Sequence, residues 1–108
     1  MPVSLPTPIA AYFAADRLER AGVADCFTEA GIVKDEGKTY AGREAIRRWK
    51  TQASTQYTYV SEPFAIELGA GRAIVTSRVT GNFPGSPVDL RYSFVLEAGK
   101  IASLEIGL

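Results

Sequence analysis

The chain has 108 residues, 46% hydrophobic and 22% charged, the composition of one soluble globular domain with a single modest core. Twelve Lys and Arg balance twelve Asp and Glu, which argues against nucleic acid as a partner, since that binding needs a basic face. With no histidine and one cysteine, Cys26, the sequence excludes a Ser-His-Asp triad, a Cys-His pair, an internal disulfide and most zinc or iron sites; no metal or cofactor is expected.

Residues 1–7 read as an extended lead-in, with prolines at 2, 6 and 8. They lack the basic start and apolar core of a signal peptide. No apolar run reaches the roughly 18 residues that a membrane span needs, so a cytoplasmic protein with no membrane partner is expected. Thr7-Pro8 opens a helix that runs through Ile9, Tyr12, Phe13 and Leu18, because Thr can cap and Pro suits the first helical position. Gly22 weakens the helical pattern, and a second short helix is predicted over 23–27. Residues 32–35 read as a short strand, Asp35-Glu36-Gly37 as a turn, and 38–40 as the returning strand. Gly42 precedes an amphipathic helix with Ala45, Ile46, Trp49 and Ala53 on its apolar side. Its basic cluster, Arg43, Arg47, Arg48 and Lys50, reads as a solvated helix face.

After Ser54 the pattern changes to strands. They are predicted over 56–68 with a break or bulge at Pro63, then 72–80, 88–97 and 100–106. The turns between them are Gly69-Ala70-Gly71, the longer 82–87 stretch and Ala98-Gly99. Helices followed by an antiparallel meander give one α+β domain over 1–108, with the helices packed on one face of a curved sheet. Alternation assigns the faces. Val88, Leu90, Tyr92, Phe94 and Leu96 share an apolar row; so do Ala102, Leu104 and Ile106, and Phe64, Ile66 and Leu68. The other face carries Arg78, Asp89, Arg91 and Glu105 with Thr76 and Thr80 between; it is either solvated or a polar dimer interface.

The stretch from Phe27 to Trp49, and above all the run Tyr40-Ala41-Gly42-Arg43-Glu44-Ala45-Ile46, resembles the SnoaL-like branch of the nuclear transport factor 2-like superfamily. The Tyr12-Phe13 helix, the phenylalanine closing the second helix and the final meander stand in the expected order, so the resemblance covers nearly the whole chain. It implies a cystatin-like cone: a strongly curved antiparallel sheet wrapped around N-terminal helices, with an apolar pocket at its open end. It also implies a homodimer through the sheet. Members include ketosteroid isomerase, polyketide cyclases, scytalone dehydratase, limonene epoxide hydrolase and domains without activity, so the function rests on the pocket. The missing histidine excludes chemistry like that of scytalone dehydratase. The short chain implies short loops and an open, wetter pocket.

Asp35 shares a strand face with Val33, and the resemblance to ketosteroid isomerase puts that enzyme's general-base aspartate here. A carboxylate at a pocket mouth can take a proton from carbon next to a carbonyl; the other reading is a turn aspartate facing water. Tyr12 lies near the isomerase's oxyanion-hole tyrosine, and is either a donor to a ligand oxygen or a core residue. Tyr92 or Ser93 stands near the isomerase's second donor, an acid there; Tyr92 either donates to an oxyanion or packs in the core. Asp16, one turn after Tyr12, is either an inward second carboxylate near the pocket or an outward partner of Arg20. Trp49 points inward with Ile46, as pocket wall or core, and Phe13 and Phe94 complete the expected ligand-binding set. Tyr40, Tyr57 and Tyr59 add aromatic surface. Cys26 reads as a small buried hydrophobe, not a nucleophile.

The expectation is a pocket for a small apolar carbonyl compound. Asp35 would be the base, and Tyr12 and Tyr92 the donors, of a cofactor-independent isomerase or lyase. The rivals are a non-catalytic ligand-binding or accessory domain of the same fold, and a dimeric module that works through its exposed sheet face. The environment of Asp35 discriminates them.

Overall fold

Helix α1 (Thr7–Leu18) starts where the sequence signals it: the Ala10 amide donates to the Pro6 carbonyl at 2.9 Å, and Pro8 sits in the first turn where its missing N–H leaves nothing unpaired. In this computed structural model, residues 3–18, 20–56 and 58–108 are described. Glu19 and Tyr57 lie outside the described residues, as do the side chains of Leu18, Arg20 and Ala53. Ile9, Tyr12, Phe13 and Asp16 are all buried, a stripe at spacings of three, four and seven that turns one face of α1 to the core. A 3₁₀ segment, Arg20–Cys26, follows in place of the short helix expected over 23–27. Strand β1 (Phe27–Asp35) begins earlier than its sequence pattern indicated and turns through Glu36-Gly37 into β2 (Lys38–Ala41).

Helix α2 (Arg43–Gln56) then carries the chain to the far edge of the sheet. Gly42 makes this entry possible: it holds φ at +87°, a region costly for residues with a Cβ, while its amide donates to Gly31 at 2.8 Å and its carbonyl accepts from Ile46 at 3.1 Å. The meander β3 (Tyr59–Gly69), β4 (Arg72–Gly81), β5 (Val88–Glu97) and β6 (Lys100–Gly107) returns across the sheet. The Ala70-Gly71 and Ala98-Gly99 turns have positive φ at both residues, as does Glu36-Gly37, the geometry that matches strand twist in two-residue hairpins.

The six strands lie in the order β2-β1-β6-β5-β4-β3. The sheet is not antiparallel throughout: β6 runs parallel to β1. Alternating reversals through the meander bring β6 back beside β1 in the same direction, after the chain has crossed over through α2.

The face assignments hold in β5, where Tyr92 and Phe94 are buried and Asp89 and Arg91 exposed. They fail at two bulges. In β6 the register slips between Val95 and Leu96, so Ile101, opposite Leu96, is fully buried, and Ala102 is displaced from the core row it was expected to join. In β3 it slips between Pro63 and Ala65, which puts Phe64 outside at 50% exposure. Leu68, near the strand end, is 71% exposed, so of the expected trio only Ile66 packs against the core. No helix among the described residues is long and apolar enough to cross a membrane.

Candidate functional site

Asp35 closes β1 and borders a cavity of about 680 Å³, within the usual range for small-molecule sites. Its Oδ2 accepts a hydrogen bond from Trp49 Nε1 at 3.1 Å, so the base candidate is held by a side chain of α2. Tyr40, from β2, packs against Trp49 with ring centroids 5.9 Å apart, and pairs across the hairpin with Val33. Trp49 is 6% exposed and borders the cavity, so it is both wall and core. Apolar walls come from Val79, Val88, Leu90 and Ile106, and the 82–87 turn contributes Phe83 at the rim.

Further polar lining comes from Lys50, Tyr59 and Tyr92. Lys50 corrects the expectation of a solvated basic face: it is 4% exposed. Its Nζ donates to Asp16 Oδ1 at 2.7 Å and to the Tyr59 hydroxyl at 2.9 Å, and Tyr59 donates to the same Asp16 oxygen at 3.0 Å. The ammonium also lies 4.6 Å from the Trp49 ring centroid and 5.4 Å from that of Tyr59, cation–π distances that favour a charge withdrawn from water. Asp16 therefore faces inward, in a buried ion pair with Lys50; its expected pairing with Arg20 falls on a side chain outside the described residues. It stands behind Lys50 and not on the cavity wall itself. The other members of the basic cluster stay near the surface: Arg47 pairs with Glu44 at 3.0 Å, and Arg43 caps the Phe27 carbonyl.

Tyr92, the polar-tipped member of the β5 row, lines the cavity. Burial pushes its hydroxyl up to about 12, with a hydrogen bond to Ser61 working against the shift. Ser61 is itself paired with Ser77 at 2.6 Å, both buried. This serine pair was not among the residues picked from sequence, and nothing in its spacing marks it.

Tyr12, Phe13 and Phe94 are brought together, but in the core and away from the cavity wall. Tyr12 is fully buried, with its ring 5.1 Å from Phe13 and 5.5 Å from Phe94. Its hydroxyl has no hydrogen-bond partner among the described residues, and burial, then the Asp16 charge, push it well above the ordinary tyrosine value. Phe94 is fully buried, and Phe13 borders a different groove, between α1 and β3. Of the residues picked from sequence, Asp35, Trp49 and Tyr92 converge on one cavity, with Tyr59 from the aromatic set. Lys50 was missed. Its signal was position: it follows Ile46 by four residues, on the stripe that also carries Trp49. Cys26 is half-buried, and burial raises its thiol, as suits an unreactive side chain.

The sequence matches no family model and no curated protein. Solved structures do match. A provisionally named polyketide cyclase from Sinorhizobium meliloti is 39% identical, with a TM-score of 0.90 over 95% of each chain. A protein of ketosteroid isomerase-like fold from Catenulispora acidiphila, solved with trimethylamine, is 18% identical at TM-score 0.85, covering 97% of this chain and 87% of its own. An epoxide hydrolase/cyclase-like enzyme of pyran-ring formation in salinomycin is 22% identical at TM-score 0.76, covering 92% and 85%.

Proposed function

Because the chain belongs to the SnoaL-like branch of the nuclear transport factor 2-like superfamily, we propose that its cavity takes a small, mostly apolar carbonyl compound and that Asp35 removes a proton from the carbon beside the carbonyl. One observation carries this reading: Asp35, its carboxylate fixed by the Trp49 indole N–H, borders a largely apolar cavity that Tyr59 and Tyr92 also line. The indole hydrogen bond holds the carboxylate in one orientation, which is what a base needs before it meets a carbon acid. Tyr92 is the donor to the oxygen that gains charge; kept protonated by burial, it stays a donor at neutral pH. Protonation of the resulting enolate at another carbon is isomerisation; its attack on a second carbonyl is ring closure. The polyketide cyclase name of the 39% identical relative fits the second outcome, since a polyketide offers acidic carbons between carbonyls. In this reading the protein acts as a homodimer that meets its second copy through the polar outer face of the sheet.

A second reading, a pocket that binds the same ligands without turnover, draws on the position of Tyr12: the second expected donor is in the core. Deuterium exchange separates the two. A bicyclic enone in deuterium oxide, followed by proton NMR, should exchange its acidic positions in the presence of the native chain, and about 10²- to 10⁴-fold more slowly with Asp35→Asn, the usual contribution of a general base. Binding of the enone with equal exchange in both proteins supports the non-catalytic reading, and no binding removes both.

A further inference from the structure

Lys50 is a buried cation that borders the cavity, and the reaction described above gives it no task. We propose that Lys50 is a further catalytic residue: its ammonium receives the negative charge that develops on the ligand oxygen, by donating a hydrogen bond to it. This rests on the reading of Asp35 as base.

Placement comes first. Trp49 and Lys50 are neighbours on α2; one holds Asp35 and the other borders the same volume, so a single turn of helix sets both base and cation. The charge is also fixed. Asp16 at 2.7 Å anchors the ammonium, and the rings of Trp49, Tyr59 and Tyr12 stand around its nitrogen with centroids 4.6, 5.4 and 5.7 Å away. A donor fixed before the reaction costs no reorganisation when charge arrives.

The direction of charge movement decides the effect. Before the step, Asp35 is negative and the ligand neutral. The proton passes from carbon to an Asp35 oxygen, the C–H electron pair becomes the new C=C bond, and the carbonyl π pair moves onto oxygen. Asp35 is then neutral and the ligand oxygen negative. Lys50 keeps its protons throughout. A fixed ammonium beside that oxygen favours the second arrangement over the first, and so lowers the barrier rather than only tightening binding. The apolar walls strengthen the interaction relative to water.

The test uses 4-nitrophenolate as a stand-in for the enolate, and nitrobenzene as the matching ligand without the oxyanion. Both are titrated into Asp35→Asn, which copies the neutral base, and into the same variant carrying Asp16→Asn and Lys50→Met, which removes both buried charges so that neither is left unpaired. The ratio of phenolate to nitrobenzene affinity should fall roughly tenfold or more on loss of Lys50, as expected for a charge-assisted hydrogen bond, with the nitrobenzene affinity unchanged. A ratio unchanged within twofold overturns the role of Lys50 and leaves the cavity reading standing. Nitrobenzene binding to neither variant nor to the native chain overturns the cavity reading, and this proposal with it.

Discussion

Replacing Lys50 with methionine tests the polar margin of the cavity through stability alone. Methionine approximates the length of the lysine stem, so the change removes charge more than volume. What it leaves behind is Asp16, whose side chain is 5% exposed and whose Oδ1 then keeps the Tyr59 hydroxyl at 3.0 Å but loses the ammonium at 2.7 Å. An uncompensated buried charge of this kind costs about 3–5 kcal/mol. Set against a total stability of about 5–15 kcal/mol for a domain, that is a large fraction, and for a chain of this size it lowers the melting temperature by roughly 15 °C or more. Adding Asp16→Asn removes the stranded charge and should restore all but about 1–2 kcal/mol, because exchanging a whole buried ion pair for neutral groups is often nearly free. Urea unfolding followed by the fluorescence of Trp49, the single tryptophan, gives both values. A loss below about 1 kcal/mol in Lys50→Met, or a double variant no better than the single one, refutes the buried pair.

Tyr12→Phe should leave stability unchanged or raise it by up to about 1 kcal/mol, because an unpaired buried hydroxyl costs about that much or more; a loss above about 1 kcal/mol in the same assay means that the hydroxyl has a partner. Alkaline unfolding should be steep. Tyr12 and Tyr92 both titrate higher in the fold than in the open chain. The stability they confer is complete below about pH 10, the free-tyrosine value, and is lost as the pH rises toward the Tyr92 value of about 12. Urea midpoints across that range should fall less in Tyr92→Phe; equal slopes contradict the burial argument. The homodimer proposed through the outer sheet face, where Arg91 is exposed, predicts a concentration-dependent dimer by light scattering that Arg91→Glu weakens; a native chain monomeric at high concentration excludes it.

Much of the fold follows from features that act over a few residues. Thr7-Pro8, the three two-residue turns and the alternation of β5 each decide local geometry by themselves, and each stands in the structure. The parallel pairing of β1 with β6 is different, because it depends on where the crossover through α2 delivers the chain. The bulges at Phe64 and Ala102 show the limit of alternation: one extra residue puts the two sides of a strand out of phase, so Phe64 and Ala102 leave the core row while Ile66, Leu104 and Ile106 keep it. Pro63 marks the first bulge in the sequence, and nothing marks the second. The site divides in the same way. Asp35, Trp49 and Tyr92 lie on apolar rows, so periodicity pointed them inward. Lys50 lay on an inward stripe too, but a lysine carries the strongest prior for solvent. Its burial depends on partners distant in the chain, above all Asp16, 34 residues away. Tyr12 shows the converse: its inward position was legible, but whether inward meant cavity or core depended on how Phe13, Phe27 and Phe94 close around it.

The claim that the Asp35–Trp49 cavity takes a small carbonyl compound is tested most directly at the indole N–H of Trp49, a single resonance because the chain has one tryptophan. Its hydrogen bond to Asp35, 3.1 Å long, lies at the cavity wall. Titration with a hydrophobic cyclic enone should move this resonance along a saturable curve. In Asp35→Ala the resonance should start from a different position, the carboxylate having gone. A resonance that stays fixed up to the solubility limit of the enone contradicts the account.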